Sequence, residues 1–309
     1  MLNTQLRAEG RSARPPGENV VTMANTARTV DRVEDGLHAG PDAQVDDKRL
    51  LILPTDPART DPFLVLSEDW FSTPGFEWHP HRGLETVTFV LDGVLEHGDN
   101  IGNSGALESG DVQWMTAGRG IIHRELAYRN ERAHTLQLWL NLPAGARMVD
   151  TRYQDVLAAG RPRITRPGAV IDVVSGTVDE VTGPALNHWP VQGVIVTIEP
   201  GVVVDLPVPA PDRAFALVLH GSTAVAGHQV NAGQVAWSEP VTGPGSVLKL
   251  RAAPDTDDVA RLMVYSGPPV AEPIVMGGSF VMNHAHEIEQ ARRDFRSGGF
   301  GPVPRLARL

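Results

Sequence analysis

Short runs of alternating or wholly apolar residues, each closed by Gly, Pro, Asn or Asp, fill this chain from about residue 45 onward. In the first half they read LLILP, ETVTFVLDG, LESGDVQWMTAG and HTLQLWLNLP. From about residue 165 a second series follows: AVIDVVSG, GVIVTIEPG, FALVLHG, NAGQVAWS, SVLKLRA and ARLMVYSGPP. Each run is about five to eight residues long and rich in β-branched, aromatic or leucine side chains, which suits strands of a sandwich or closed barrel. The predicted fold class is all-β.

The two series read as two copies of one plan. TFVLDG at 88–93 resembles ALVLHG at 216–221, LESGDVQWM at 107–115 resembles VNAGQVAWS at 230–238, and HTLQLWLNLP at 134–143 resembles ARLMVYSGPP at 260–269. Three matches in the same order predict a duplicated barrel, one copy over 28–160 and the other over 161–309. The last segment changes period. Ile288, Ala291 and Phe295 recur at helical spacing before Gly298, which predicts one amphipathic helix packed on the second barrel. Residues 1–27 are polar, Arg- and Gly-rich and aperiodic, the make-up of a disordered extension, with Met23 an alternative start.

Composition narrows the chemistry. The formal charge of −10 speaks against a surface for nucleic acid or anionic membrane, since phosphate binding needs clustered Lys and Arg. With no cysteine, any metal must sit on histidines and carboxylates. No apolar run is long enough to span a membrane and no secretory leader is visible, so a cytoplasmic protein is expected. Phosphate-loop, nucleophile-elbow and paired-carboxylate motifs are absent from the sequence.

One constellation remains. GFEWHPHRGLE sets His79 and His81 two apart, and AGRGIIHRE sets His123 and Glu125 two apart. On extended backbone, residues i and i+2 share a face, so each pair presents two ligands to one side. The Gly118-Arg119-Gly120 stretch permits a sharp turn that returns the second pair toward the first. Three imidazoles and a carboxylate suit iron, manganese, nickel, copper or zinc better than calcium or magnesium. Around these residues, Glu85 reads either as a hydrogen-bond partner of a ligand histidine or as a strand-pairing residue. Gln113 and Met115 line either the pocket or the core, and Arg82, Arg119 and Arg124 read as solvated turn charges or, beside the ligands, as attractors of an anionic substrate. His134 alternates with Leu136, Leu138 and Leu140 as a core or rim residue, while His284 and His286 precede a helical pattern in which i and i+2 diverge.

HPHRGLETVTFVLDG, GDVQWMTAGRGIIHRE, LQLWLNLP, DPFLVLSEDWF and EPIVMGGSFVMNHAHEIEQARRDFRSGGFG resemble the signature blocks of the pirin family, within the cupin superfamily. That resemblance implies two tandem cupin (jelly-roll-like) barrels with a short C-terminal helix, the metal confined to the N-terminal barrel. It implies His79, His81, His123 and Glu125 as ligands and Fe(II) as the usual ion. Aligning GFEWHPH with GVVVDLP sets Asp205 opposite His79 and Pro207 opposite His81, so the second copy lacks the ligands. Members of the family are associated with quercetin 2,3-dioxygenase activity, which implies a small aromatic substrate; for such chemistry Glu125 would serve as ligand and, on swinging off the metal, as the base. They are also linked to transcriptional co-regulation and metabolic-enzyme control, which implies a protein partner in place of a substrate. No direct nucleic-acid contact is expected.

Overall fold

Strands form where the period-two pattern runs, and their order in space repeats from one half to the other. The computed structural model describes residues 25–72 and 75–304. In the first half Val112–Thr116, Leu84–Asp99, Ala133–Asn141 and Phe63–Phe71 lie side by side in that order. In the second half Gln234–Ser238, Arg213–His220, Ala260–Gly267 and Gln192–Ile198 do the same. The three matched segments of the sequence therefore occupy equivalent places in the two sheets. All of these neighbours are antiparallel.

Alternation decides what each face meets. On Ala133–Asn141, Leu136, Leu138 and Leu140 turn toward the second barrel and join one core with Phe215, Leu217, Trp237 and Tyr265. Phe63 and Phe215 close this seam edge to face, 4.9 Å between centroids. Burying each such side chain is worth about 1.5–3 kcal/mol, so the seam is a major source of cohesion between the barrels. Thr135, Gln137 and Trp139 lie on the opposite face of the same strand, toward the interior of the first barrel.

Two departures from the sequence reading concern the ends of the chain. Thr26–Ala27 pairs with Ser246–Val247, and Arg32–Asp35 pairs with Gln234–Trp237, so both strands extend the second barrel although they precede the first. The expected extension thus ends before residue 26; its residues 1–24 lie outside those described, as does Met23. Arg28 anchors the crossing. Its buried guanidinium donates to the carbonyls of Pro209, Ala210 and Asp212, and its Nε to Ser246 Oγ.

The C-terminal helix, Ala285–Arg296, forms where the period predicts it but packs on the first barrel, not the second. Ile288 and Ala291 bury against Ile122, Phe280 and Met282, and Asp294 pairs with Arg82 at 2.7 Å. Helical periodicity shows that one face needs an apolar partner; it carries no information on which barrel supplies it. The short hairpin Val275–Gly277 and Phe280–Met282 leads the chain there, with Arg82 bridging to Phe280. Among the described residues no helix is long and apolar enough to cross a membrane.

Candidate metal centre

Strand register gathers the histidines. Ile121–Ala127 runs between Phe76–His81 on one side and the distal half of Leu84–Asp99 on the other. His123 lies directly across from His79, and Ile121 across from His81. Residues directly opposite share a face, and so do residues two apart, so His79, His81 and His123 must all project to one side. They do: one ligand-type atom from each lies within 4.8 Å of the others. Ring centroids are 4.3 Å apart for His79–His123, 5.0 Å for His79–His81 and 4.9 Å for His81–His123. Among the described residues this is the one group of three or more such side chains gathered closely enough for an ion.

The turn that returns the second strand needs its glycines. Gly118 and Gly120 have φ of +48° and +137°, and a Cβ on Gly120 would meet the Phe300 ring at 2.9 Å. Phe300, from the C-terminal segment, thus seats against the back of the turn, and the Arg82 guanidinium lies 4.4 Å over its ring centroid.

The chemistry of the cluster fits a transition metal. Both ring nitrogens of His81 and of His123 are buried without a hydrogen bond of good geometry, although the Ser279 backbone lies close enough to His81 to oppose in part the fall of its pKa. A buried imidazole left so is costly unless something accepts its lone pair, and a metal ion does. Burial holds all three imidazoles below their ordinary pKa, those of His81 and His123 well below, with the neighbouring rings adding to the effect at His81 and His123. They are neutral at physiological pH, which is the ligating form. His79 Nδ1 donates to the Glu77 carbonyl at 2.7 Å, which leaves its Nε2 lone pair free to bind.

Glu125 is buried on the same strand, two residues beyond His123, with a register shift between them. Thr88 Oγ1 donates to Glu125 Oε1 at 3.0 Å and Gln137 Nε2 donates to Oε2 at 2.7 Å. These two donors fix the orientation of the carboxylate. Gln137 is itself held, since its Oε1 accepts from Trp139 Nε1 at 3.0 Å.

His97 is the residue that sequence reasoning passed over. It lies directly across from Glu125, is 1% exposed, and sits 5.4 Å from His123 and 4.7 Å from Tyr153 between ring centroids. The signal was present as the spacing of His97 and Asp99, which share a face. Only tertiary pairing shows that this face meets the cluster.

The other singled-out residues have plainer places. Glu85 points away from the histidines, toward the seam, where it accepts from Trp114 Nε1 and Thr116 Oγ1. Arg82 and Arg124 are not solvated turn charges: both are buried and paired, with Asp294 and Glu96, and only Arg119 is exposed, beside Asp150. Gln113 donates to Tyr153 at 3.5 Å, and Met115 packs with Ala117 and Ile121. His134 is a rim residue, bonded to Glu68 and stacked on Trp70. His284 begins the helix, its backbone N–H donating to Glu287.

The second barrel holds no comparable cluster among the described residues, and its interior is filled by Val194, Val196, Leu206, Leu250 and their neighbours. The alignment of Asp205 with His79 needs correcting by one residue. Asp205 is exposed and faces Lys249, whereas Val204, Leu206 and Val208 turn inward. A slip of one position reverses the face of every side chain in a strand.

Comparison with known proteins agrees with this architecture. The pirin family model matches residues 47–140, and the model of the pirin C-terminal cupin domain matches residues 193–301. Pirin-1 of Arabidopsis thaliana is 36% identical over 242 residues, covering 78% of this chain and 84% of that protein. Human pirin is 34% identical over 245 residues, 78% of this chain and 83% of its own length. A crystal structure of quercetin 2,3-dioxygenase from Acinetobacter baumannii superposes with a TM-score of 0.78 at 28% identity, covering 90% of this chain and all of that one.

Proposed function

This chain belongs to the pirin family, and from that premise we propose that it is a metal-dependent dioxygenase acting on a small flavonol such as quercetin, with ferrous iron held by His79, His81, His123 and Glu125. The observation that carries the reading is three neutral imidazoles gathered on one face, His81 and His123 with no hydrogen bond of good geometry on either ring nitrogen and His79 with its Nε2 left over beside the Nδ1 bond to Glu77. The likeness to the Acinetobacter quercetin 2,3-dioxygenase supports the substrate class.

When bound, such an ion supplies Lewis acidity toward an ortho-hydroxyketone and electrons to dioxygen. The protein's own residues do the rest. Glu125, once it leaves the ion, would accept the substrate hydroxyl proton on a carboxylate oxygen, with Thr88 and Gln137 in reach to keep the group aimed. Thr88 and Gln137 also stabilise its charge while it carries no proton. The closed first barrel shields the reacting centre from bulk water, since His81, His123, Glu125 and His97 are all essentially inaccessible.

The test has two stages. Elemental analysis of protein purified without chelators should find close to one iron per chain, lost in His79→Ala. Quercetin added anaerobically should then shift its absorption, with turnover starting only on admission of air. Protein loaded with iron, manganese, nickel, copper or zinc that never turns over would overturn the enzymatic reading and leave the metal centre standing.

A further inference from the structure

The barrels enclose a second place suited to a ligand, on the opposite face of Ala133–Asn141 from the histidines. We propose that the cleft where the barrel edges meet, about 470 Å3 in volume, binds a small organic monocarboxylate with an apolar body, its carboxylate on the guanidinium of Arg261.

The cleft is built jointly. Arg49, Glu68 and His134 come from the first barrel, and His220, Gly233 and Arg261 from the second. Its walls are strands or strand ends, so its shape is set by the seam. His220 and Arg261 are paired across adjacent strands, and His134 is held by its stack on Trp70, 4.3 Å between centroids. Gly233 admits Arg49, whose Nη1 would lie 2.7 Å from a Cβ there.

Charge then selects the ligand. The one carboxylate lining the cleft is already saturated. Glu68 Oε2 takes Arg49 Nε at 3.0 Å and also Nη2, and Oε1 takes His134 Nε2 at 2.9 Å. Arg49 and Glu68 cancel. Arg261 has no carboxylate within ion-pair reach among the described residues; its guanidinium carbon lies 5.6 Å over the Phe89 ring. One half-buried, uncompensated guanidinium in a chain of net charge −10 is a local reversal of sign. It excludes a metal cation and matches a single anionic group, which a guanidinium binds with two parallel hydrogen bonds.

Size and lining select the rest. The volume falls in the range of about 300–1,000 Å3 typical of organic-ligand sites, too large for an inorganic anion alone. Leu91, Leu217 and Leu219 line it as well, giving an apolar body a surface to cover.

The decisive measurement is calorimetric titration of benzoate into the full chain stripped of metal by a chelator, so that no carboxylate is held at the histidines. Benzoate should bind, and its neutral counterpart benzamide should bind at least about tenfold more weakly. Arg261→Gln should weaken benzoate by about tenfold with an unchanged unfolding midpoint, and Leu219→Trp, which fills the cleft, should abolish it. Equal affinity for benzoate and benzamide in the native chain would overturn the proposal and requires no variant to fold. So would equal benzoate affinity in Arg261→Gln, inorganic phosphate binding as tightly as benzoate, or no heat up to about 10 mM.

Discussion

The two barrels share a strand order and differ in what fills them. The first turns His79, His81, His123, His97, Thr88 and Gln137 inward, while the second turns mainly Val, Leu, Ile and Ala inward, with Thr223 a buried exception. A polar interior must satisfy each donor and acceptor or lose free energy, whereas an apolar one gains by packing alone. The difference teaches that one scaffold carries two tasks. The second barrel has the more apolar interior, and the first accepts unpartnered imidazoles that a bound ion would satisfy.

The comparison breaks most directly at the ligands. His123→Ala should lower metal affinity by more than about a hundredfold, read as metal content after gel filtration, because even changes to outer partners cost about 10–100-fold. Next comes a swap of energetic roles. Leu206→Ala in the second barrel should destabilise by about 2–5 kcal/mol with metal content intact. His81→Leu should leave the metal-free protein as stable as before or more stable by about 1–3 kcal/mol, since it removes a buried group without partners. Denaturant melts of both variants check the pair. If His81→Leu proved as damaging as Leu206→Ala, the two interiors would not differ as argued.

Smaller effects sharpen the contrast. Arg82 follows His81 directly and ties it to the C-terminal helix through Asp294 and to the turn through the Arg119 carbonyl. Arg82→Ala should weaken metal binding by about tenfold, measured by competition with a chelator. In the second barrel, burial pushes the Asp212 carboxyl up to about 6 against the pull of Ser266 and Arg28. A raised folded value means the folded state holds the proton more tightly, so this contribution is full below about 3.8 and lost as pH rises through about 6. The unfolding midpoint of the native chain relative to Asp212→Asn should therefore fall between pH 4 and 6 and stay level above. Asp69, also raised to about 6, is common to both proteins and cancels.

Much of this was legible in the chain because two of its rules are local. Period two marks the strands, and the same period places His79 with His81 and His123 with Glu125 on shared faces. The duplication was legible because equivalent strands carry a positive-φ glycine at matching places, Gly93 within Leu84–Asp99 and Gly221 just past Arg213–His220. What escaped notice depends on pairing between distant segments. His97 reaches the cluster only through its register with Glu125, and Arg82 and Arg124 are buried only because Asp294 and Glu96 come to meet them. Asp205 was misplaced because a single-residue slip between copies leaves the pattern of letters almost unchanged while reversing every face.

The crossing of the chain ends has a further consequence. Strands at the start of the polypeptide complete the late barrel, and the helix at its finish braces the early one, so each half is closed by material from the far end of the other. A cut near residue 160 would leave two fragments, each with a bare sheet margin or an uncovered apolar patch around Ile122. The two halves are mutually dependent, and loss of grip by either end segment is felt in the half that lies farther away along the sequence.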